Sequence, residues 1–70
     1  MDTLKINGQE KQFPTGKFPV TLADLLRQLG VEAATVVAEL DGQIIEREKF
    51  ARTELHSGQN IELVRFVPGG

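Results

Sequence analysis

One stretch of this chain carries an unbroken helical period, and it limits the rest. In "TLADLLRQLG" the residues Leu22, Leu25, Leu26 and Leu29 fall at i, i+3, i+4 and i+7, so they form one apolar stripe on a helix. Thr21 is suited to the N-cap, and Asp24, three residues on, sets up a capping-box-like exchange and favours the positive helix end. Gly30 fits the left-handed position that ends a helix. A single amphipathic helix cannot bury its stripe alone. It needs a sheet, and 70 residues leave room for only one domain.

The remaining segments read as that sheet. "TLKI" alternates, with Leu4 and Ile6 on one face and Thr3 and Lys5 on the other. Asn7-Gly8 is a two-residue hairpin signal, since both residues accept positive φ, and "QEKQF" is the returning strand. "PTGKFP" is turn chemistry. "TVVAEL" places Val36, Ala38 and Leu40 on one face and Val37 and Glu39 on the other. Asp41-Gly42 then predicts a second hairpin with "QIIE". "REKFAR" lacks a clean period and reads as a short helical turn anchored by Phe50, and "HSGQ" as a turn. "NIELVRFV" is the last strand, with Ile61 and Leu63 opposed to Val64 and Phe66.

The expected fold class is therefore α+β. A mixed sheet of four to five strands packs on one main helix, with a short helical turn, and the first and last strands pair in parallel across the helical crossover. That order is the β-grasp, or ubiquitin-like roll. The expected layout is a single domain over residues 1–70, with 67–70 as a projecting flexible tail.

Composition removes most functions. There is no cysteine, hence no disulfide and no thiolate for catalysis, metal or persulfide. The net charge of −2 argues against nucleic acid. No apolar run approaches the ~20 residues of a membrane span, and "MDTLKINGQE" has no signal-peptide core. The expectation is a cytoplasmic protein, a monomer when alone. His56 and Ser57 sit together in a predicted turn, where adjacency without an orienting third group does not make a base–nucleophile pair. Asp41, Glu46 and Glu48 suit a hairpin turn and a solvated face better than a metal site, which needs several converging oxygens. No catalytic, cofactor or metal residue is expected.

The ending "RFVPGG" is different. Pro68 cannot donate a ladder hydrogen bond, and Gly69 and Gly70 carry no side chain, so Val67, Pro68, Gly69 and Gly70 read as an arm able to thread a narrow channel. The α-carboxylate of a C-terminal glycine is ionised at neutral pH, with a pKa of ~3.5. It can attack an ATP phosphate, but this chain has no phosphate-cradling loop, so adenylation must occur in a partner. Without a thiol in the chain, sulfur carried here would be a thiocarboxylate on Gly70. Val64 and Phe66 lie on the strand face opposite Ile61 and Leu63, and with Val37 they are candidates for an exposed partner-binding patch.

"TLADLLRQLG", "VVAELDGQIIERE", Phe50 in "REKFA", "SGQNIELV" and the terminal "GG", in that order, resemble the bacterial sulfur carrier proteins of thiamine biosynthesis over essentially the whole chain. The resemblance implies a protein co-substrate rather than an enzyme. An E1-like adenylyltransferase would adenylate Gly70 with ATP and magnesium, and neither would be bound by this chain. A sulfur donor, a cysteine desulfurase or similar, would convert the adenylate to a thiocarboxylate. Thiazole synthase would take the sulfur. The same residues leave three alternatives open: the small subunit of molybdopterin synthase, whose chains run about ten residues longer; a protein modifier joined to lysines; and a non-covalent β-grasp interaction module.

Overall fold

The structure is a computed structural model and describes residues 1–67. The turns set the sheet. Asn7 and Gly8 take φ of 50° and 81°, and Asp41 and Gly42 take 49° and 87°. Paired positive φ values give two-residue turns whose twist matches that of the strands they join. The first turn joins β1 (Asp2–Ile6) to β2 (Gln9–Phe13), and the second joins β3 (Val36–Leu40) to β4 (Gln43–Ile45). Each turn fixes an antiparallel register, with Ile6 opposite Gln9 and Leu40 opposite Gln43.

Both turns also hold the last strand, β5 (Asn60–Arg65). Asn7 donates its amide to the Ile61 carbonyl, and its side-chain oxygen accepts from the Leu63 amide at 2.7 Å. Asp41 donates to the Asn60 carbonyl, and its carboxylate accepts from the Asn60 amide at 2.9 Å. The strand order is β2-β1-β5-β3-β4. β1 and β5 are parallel, and β5 and β3 are antiparallel from Leu40 opposite Ile61 to Val36 opposite Arg65. The five-stranded mixed sheet with its single α-helix is the expected β-grasp.

The helix α1 (Leu22–Leu29) is closed at both ends by its own sequence. The Thr21 side chain accepts from the Asp24 amide, and the Asp24 carboxylate accepts from the Thr21 amide, a full reciprocal capping box. Gly30 takes φ of 71°, and the Val31 amide donates to the Leu26 carbonyl. Leu22, Leu25 and Leu26 are buried against Leu4, Val36, Ala38 and Ile61, while Leu29, Ile6, Leu40 and Leu63 pack around them half-buried.

The structure adds parts that periodicity did not predict. Phe13, Leu55 and Pro19 complete the core beside Phe50, the expected anchor. Phe50 belongs to a 3₁₀ helix at Arg47–Arg52, where a short helical turn was expected. A second 3₁₀ turn, Ala33–Thr35, precedes β3, and so β3 begins at Val36. An isolated bridge joins Thr21 to Glu54 and seats Leu55 beneath the helix N-terminus, with the Leu22 amide donating to the Thr53 carbonyl.

Candidate functional site

β5 ends at Arg65, two residues short of the expected "NIELVRFV" strand. The reason lies across the ladder. Its partner β3 begins at Val36, and the preceding residues curl into the 3₁₀ turn, so no extended partner remains beyond the Val36–Arg65 pair. One further hydrogen bond holds the chain, from the Phe66 amide to the Thr35 carbonyl at 2.9 Å. Val67 is 85% exposed and outside any element. The expected tail residues Pro68, Gly69 and Gly70 lie outside the described residues. The Phe66 amide is thus the last fixed point of the described chain. Gly70 is the fourth residue beyond it, a reach of about 14 Å for an extended chain.

The sheet face that looks away from α1 carries the three expected patch residues, and the register brings two of them together. Val37 stands directly opposite Val64, at 42% and 60% exposure. Phe66, at 45%, follows on the same side of its chain. Sequence reasoning missed Ile44, which is 69% exposed. It pairs with Glu39, which shares its strand face with Val37, so Ile44 joins the outer face. Val37, Ile44 and Phe66 line one shallow groove with Ala33, Ala34 and Phe50. Four large apolar side chains on one solvent-facing surface are unusual for a sheet whose inner face already supplies the core.

The polar candidates have structural partners. Ser57 Oγ accepts from the Thr3 amide at 3.0 Å and ties the "HSGQ" turn to β1. The His56 amide donates to Gln59 Oε1 at 2.7 Å within that turn. Asp41 is engaged with the Asn60 backbone at the start of β5, as above. Among the described residues no group of three or more His, Cys, Asp or Glu is placed to hold a metal ion. No helix there is long and apolar enough to cross a membrane. Two carboxyls are held below their ordinary range. For Asp24 the cause is first hydrogen bonding by the Thr21 side chain, against a smaller desolvation effect, then by Arg27 at 2.8 Å. For Glu48 the chief cause is hydrogen bonding to its own backbone amide. Asp24 serves the helix cap, and Glu48 lies at the groove that Phe66 lines.

The comparisons with known proteins agree with one another. The ThiS family model matches residues 4–70. The sulfur carrier protein ThiS of Bacillus subtilis (strain 168) is 34% identical over 67 residues, covering 96% of this chain and 98% of that protein. A thiazole synthase of Paramagnetospirillum magneticum (strain ATCC 700264 / AMB-1) is 33% identical over 67 residues. The match covers 96% of this chain, which spans only 20% of that longer protein. The crystal structure of a thiamine biosynthesis protein (ThiS) from Geobacter metallireducens superposes with a TM-score of 0.81 at 33% identity, over 97% of this chain and 99% of that one. A solution structure of a thiamine biosynthesis protein from Geobacter metallireducens gives 0.77 at 34% identity, over 100% and 88%. The family match over nearly the whole chain, the two-thirds-plus coverage of a curated carrier and the shared fold have one conclusion: this chain belongs to the ThiS family, whose members include sulfur carriers of thiamine biosynthesis.

Proposed function

We propose that this ThiS-family sulfur carrier works through the carboxylate of Gly70, as a co-substrate that partner enzymes activate, load and unload. The observation that carries the reading is the contrast between the two ends of β5. Its start is tied by Asn7 and Asp41 from either side, while its far end keeps only the Phe66 amide bond before an exposed Val67 and the sequence Pro-Gly-Gly.

The chemistry follows from a carboxylate, which is a poor acyl electrophile until its oxygen is made a leaving group. In an E1-like adenylyltransferase, one Gly70 carboxylate oxygen attacks the α-phosphorus of ATP, with magnesium, and pyrophosphate leaves. The acyl-adenylate is then attacked at its carbonyl carbon by the outer sulfur of a persulfide carried by a donor such as a cysteine desulfurase, and a second thiol takes the donor's inner sulfur into a disulfide, which supplies the two electrons. AMP departs and Gly70 carries a thiocarboxylate. Thiazole synthase is the acceptor. A thiazole synthase that contains a segment similar to nearly this whole chain supports that pairing. This chain supplies what the partners cannot: a slender acyl end, a rigid base, and the Val37, Val64 and Phe66 patch beside it for docking. None of its side chains is asked to transfer a proton or bind nucleotide.

The test is pyrophosphate exchange. With the adenylyltransferase and Mg-ATP, exchange of labelled pyrophosphate into ATP should depend on this protein and vanish when Gly70 is deleted. Exchange that continues undiminished with the deleted chain would refute the proposal.

A further inference from the structure

The outer sheet face holds a feature that the apolar patch does not explain. Glu39 on β3 and Glu62 on β5 stand directly opposite each other in register, one rung from the Val37–Val64 pair. Like charges directly opposite across a ladder destabilise a sheet. The next strand solves the same problem differently, with Lys5 opposite Glu10 between β1 and β2. No cation stands directly opposite Glu39 or Glu62, and neither is in an ion pair, the one among the described residues joining Arg27 to Asp24 on α1. The cation on the neighbouring strand, Lys5, stands opposite Asn60, one position along that face from Glu62. Ile44 stands opposite Glu39 on its other side. The outer face of β3, β4 and β5 is therefore two acids bordered by Val37, Val64, Phe66 and Ile44, with Glu39 half-buried and Glu62 exposed.

We propose that Glu39 and Glu62 together receive one arginine of the E1-like adenylyltransferase, and that the four apolar side chains around them seal that contact from water. This rests on the function proposed above and adds the chemistry of the docking surface. Directly opposite side chains on a sheet have Cβ atoms about 5 Å apart, so two carboxylates can converge on a single group. A guanidinium presents five donors in a planar fork and can bond both, where an ammonium offers a point charge. Apolar neighbours lower the local dielectric when the partner covers the face, and so strengthen the attraction. The partner is chosen by charge. An enzyme that binds ATP and admits a carboxylate tail to it needs cationic groups around that entrance, and the carrier meets it with a net charge of −2 and an acidic pair on the outer face, whose Glu62 is four residues back along the chain from Phe66.

The experiment measures the affinity of the full-length carrier for the adenylyltransferase from the same organism over a range of salt, with thermal unfolding of the carrier alone. Glu39→Gln and Glu62→Gln should each weaken binding about three- to tenfold and flatten its salt dependence. Each should leave the carrier's melting temperature unchanged or raised, because a repulsion has been removed. The double variant should lose less than the product of the two single losses, since one cation serves both. Glu10→Gln should bind as the unaltered carrier does. Unchanged affinity and salt dependence in both single variants would overturn the inference. So would weakened binding accompanied by a lowered melting temperature, which would make the pair structural. An unaltered carrier that the enzyme neither binds nor adenylates would defeat the proposed function and this inference together. A carrier that is bound and adenylated alike with and without the glutamates would defeat this inference alone.

Discussion

Phe66 stands where the sheet ends and the tail begins. Its amide makes the last bond of the described chain, to the Thr35 carbonyl just before β3, and its ring is 45% exposed beside Val37 in the groove. A side chain so placed contributes more to a partner than to the core. Phe66→Ala should weaken adenylyltransferase binding by tenfold or more, roughly the loss of an interfacial aromatic anchor, and leave the melting temperature nearly unchanged. Calorimetry of both quantities checks it; intact affinity or a collapse in stability would each count against it. Asn7 makes the opposite case. Its side chain substitutes for a strand by accepting from the Leu63 amide, and its φ of 50° is one that Asn tolerates. Asn7→Ala should cost about 1–3 kcal/mol in chemical denaturation, from the lost bond and the strained backbone. Val37, Val64 and Phe66 could be read from alternation alone. Ile44 could have been, because the two-residue Asp41-Gly42 turn forces Leu40 opposite Gln43 and hence Ile44 opposite Glu39. A three-residue strand has too few positions to show its own period.

At the scale of elements, α1 was the most legible because stripe, cap and stop all lie in adjacent residues. Leu26 is 2% exposed at the centre of that stripe, and Leu26→Ala should cost ~2–5 kcal/mol in chemical denaturation. That is a large part of the ~5–15 kcal/mol typical of a small domain. The cap adds a pH dependence of definite sign. The Asp24 carboxyl is held below its ordinary value in the fold, so its contribution is present above the unfolded value of 3.8 and is lost as pH falls through the lower folded value. Asp24→Asn should therefore reduce stability near neutrality and flatten its decline below about pH 4, as thermal unfolding across pH would show. The 3₁₀ turn at Ala33–Thr35 and the seat of Leu55 were not legible. The first is too short for a period, and the second depends on a contact with Val20 and Thr21, more than thirty residues away in the chain.

For the whole molecule, topology followed from local signals. Two turns of Asn-Gly and Asp-Gly type each commit a pair of neighbours, and one helix between the hairpins returns the chain for a parallel β1–β5 pair. The end of β5 did not follow, because it is set by where β3 begins. Gly69 and Gly70, which the sequence singles out, lie outside the described residues, and the activity proposed for them is a property of the carrier with its partners. The most direct measurement is the intact mass of the full-length chain after incubation with adenylyltransferase, Mg-ATP and a sulfur donor. The account predicts exchange of one oxygen for one sulfur, placed on Gly70 by fragmentation, abolished by deletion of Gly70 and reduced by Gly69→Val, whose branched side chain narrows and stiffens the tail. A deleted chain that gains sulfur as readily as the intact one would contradict it.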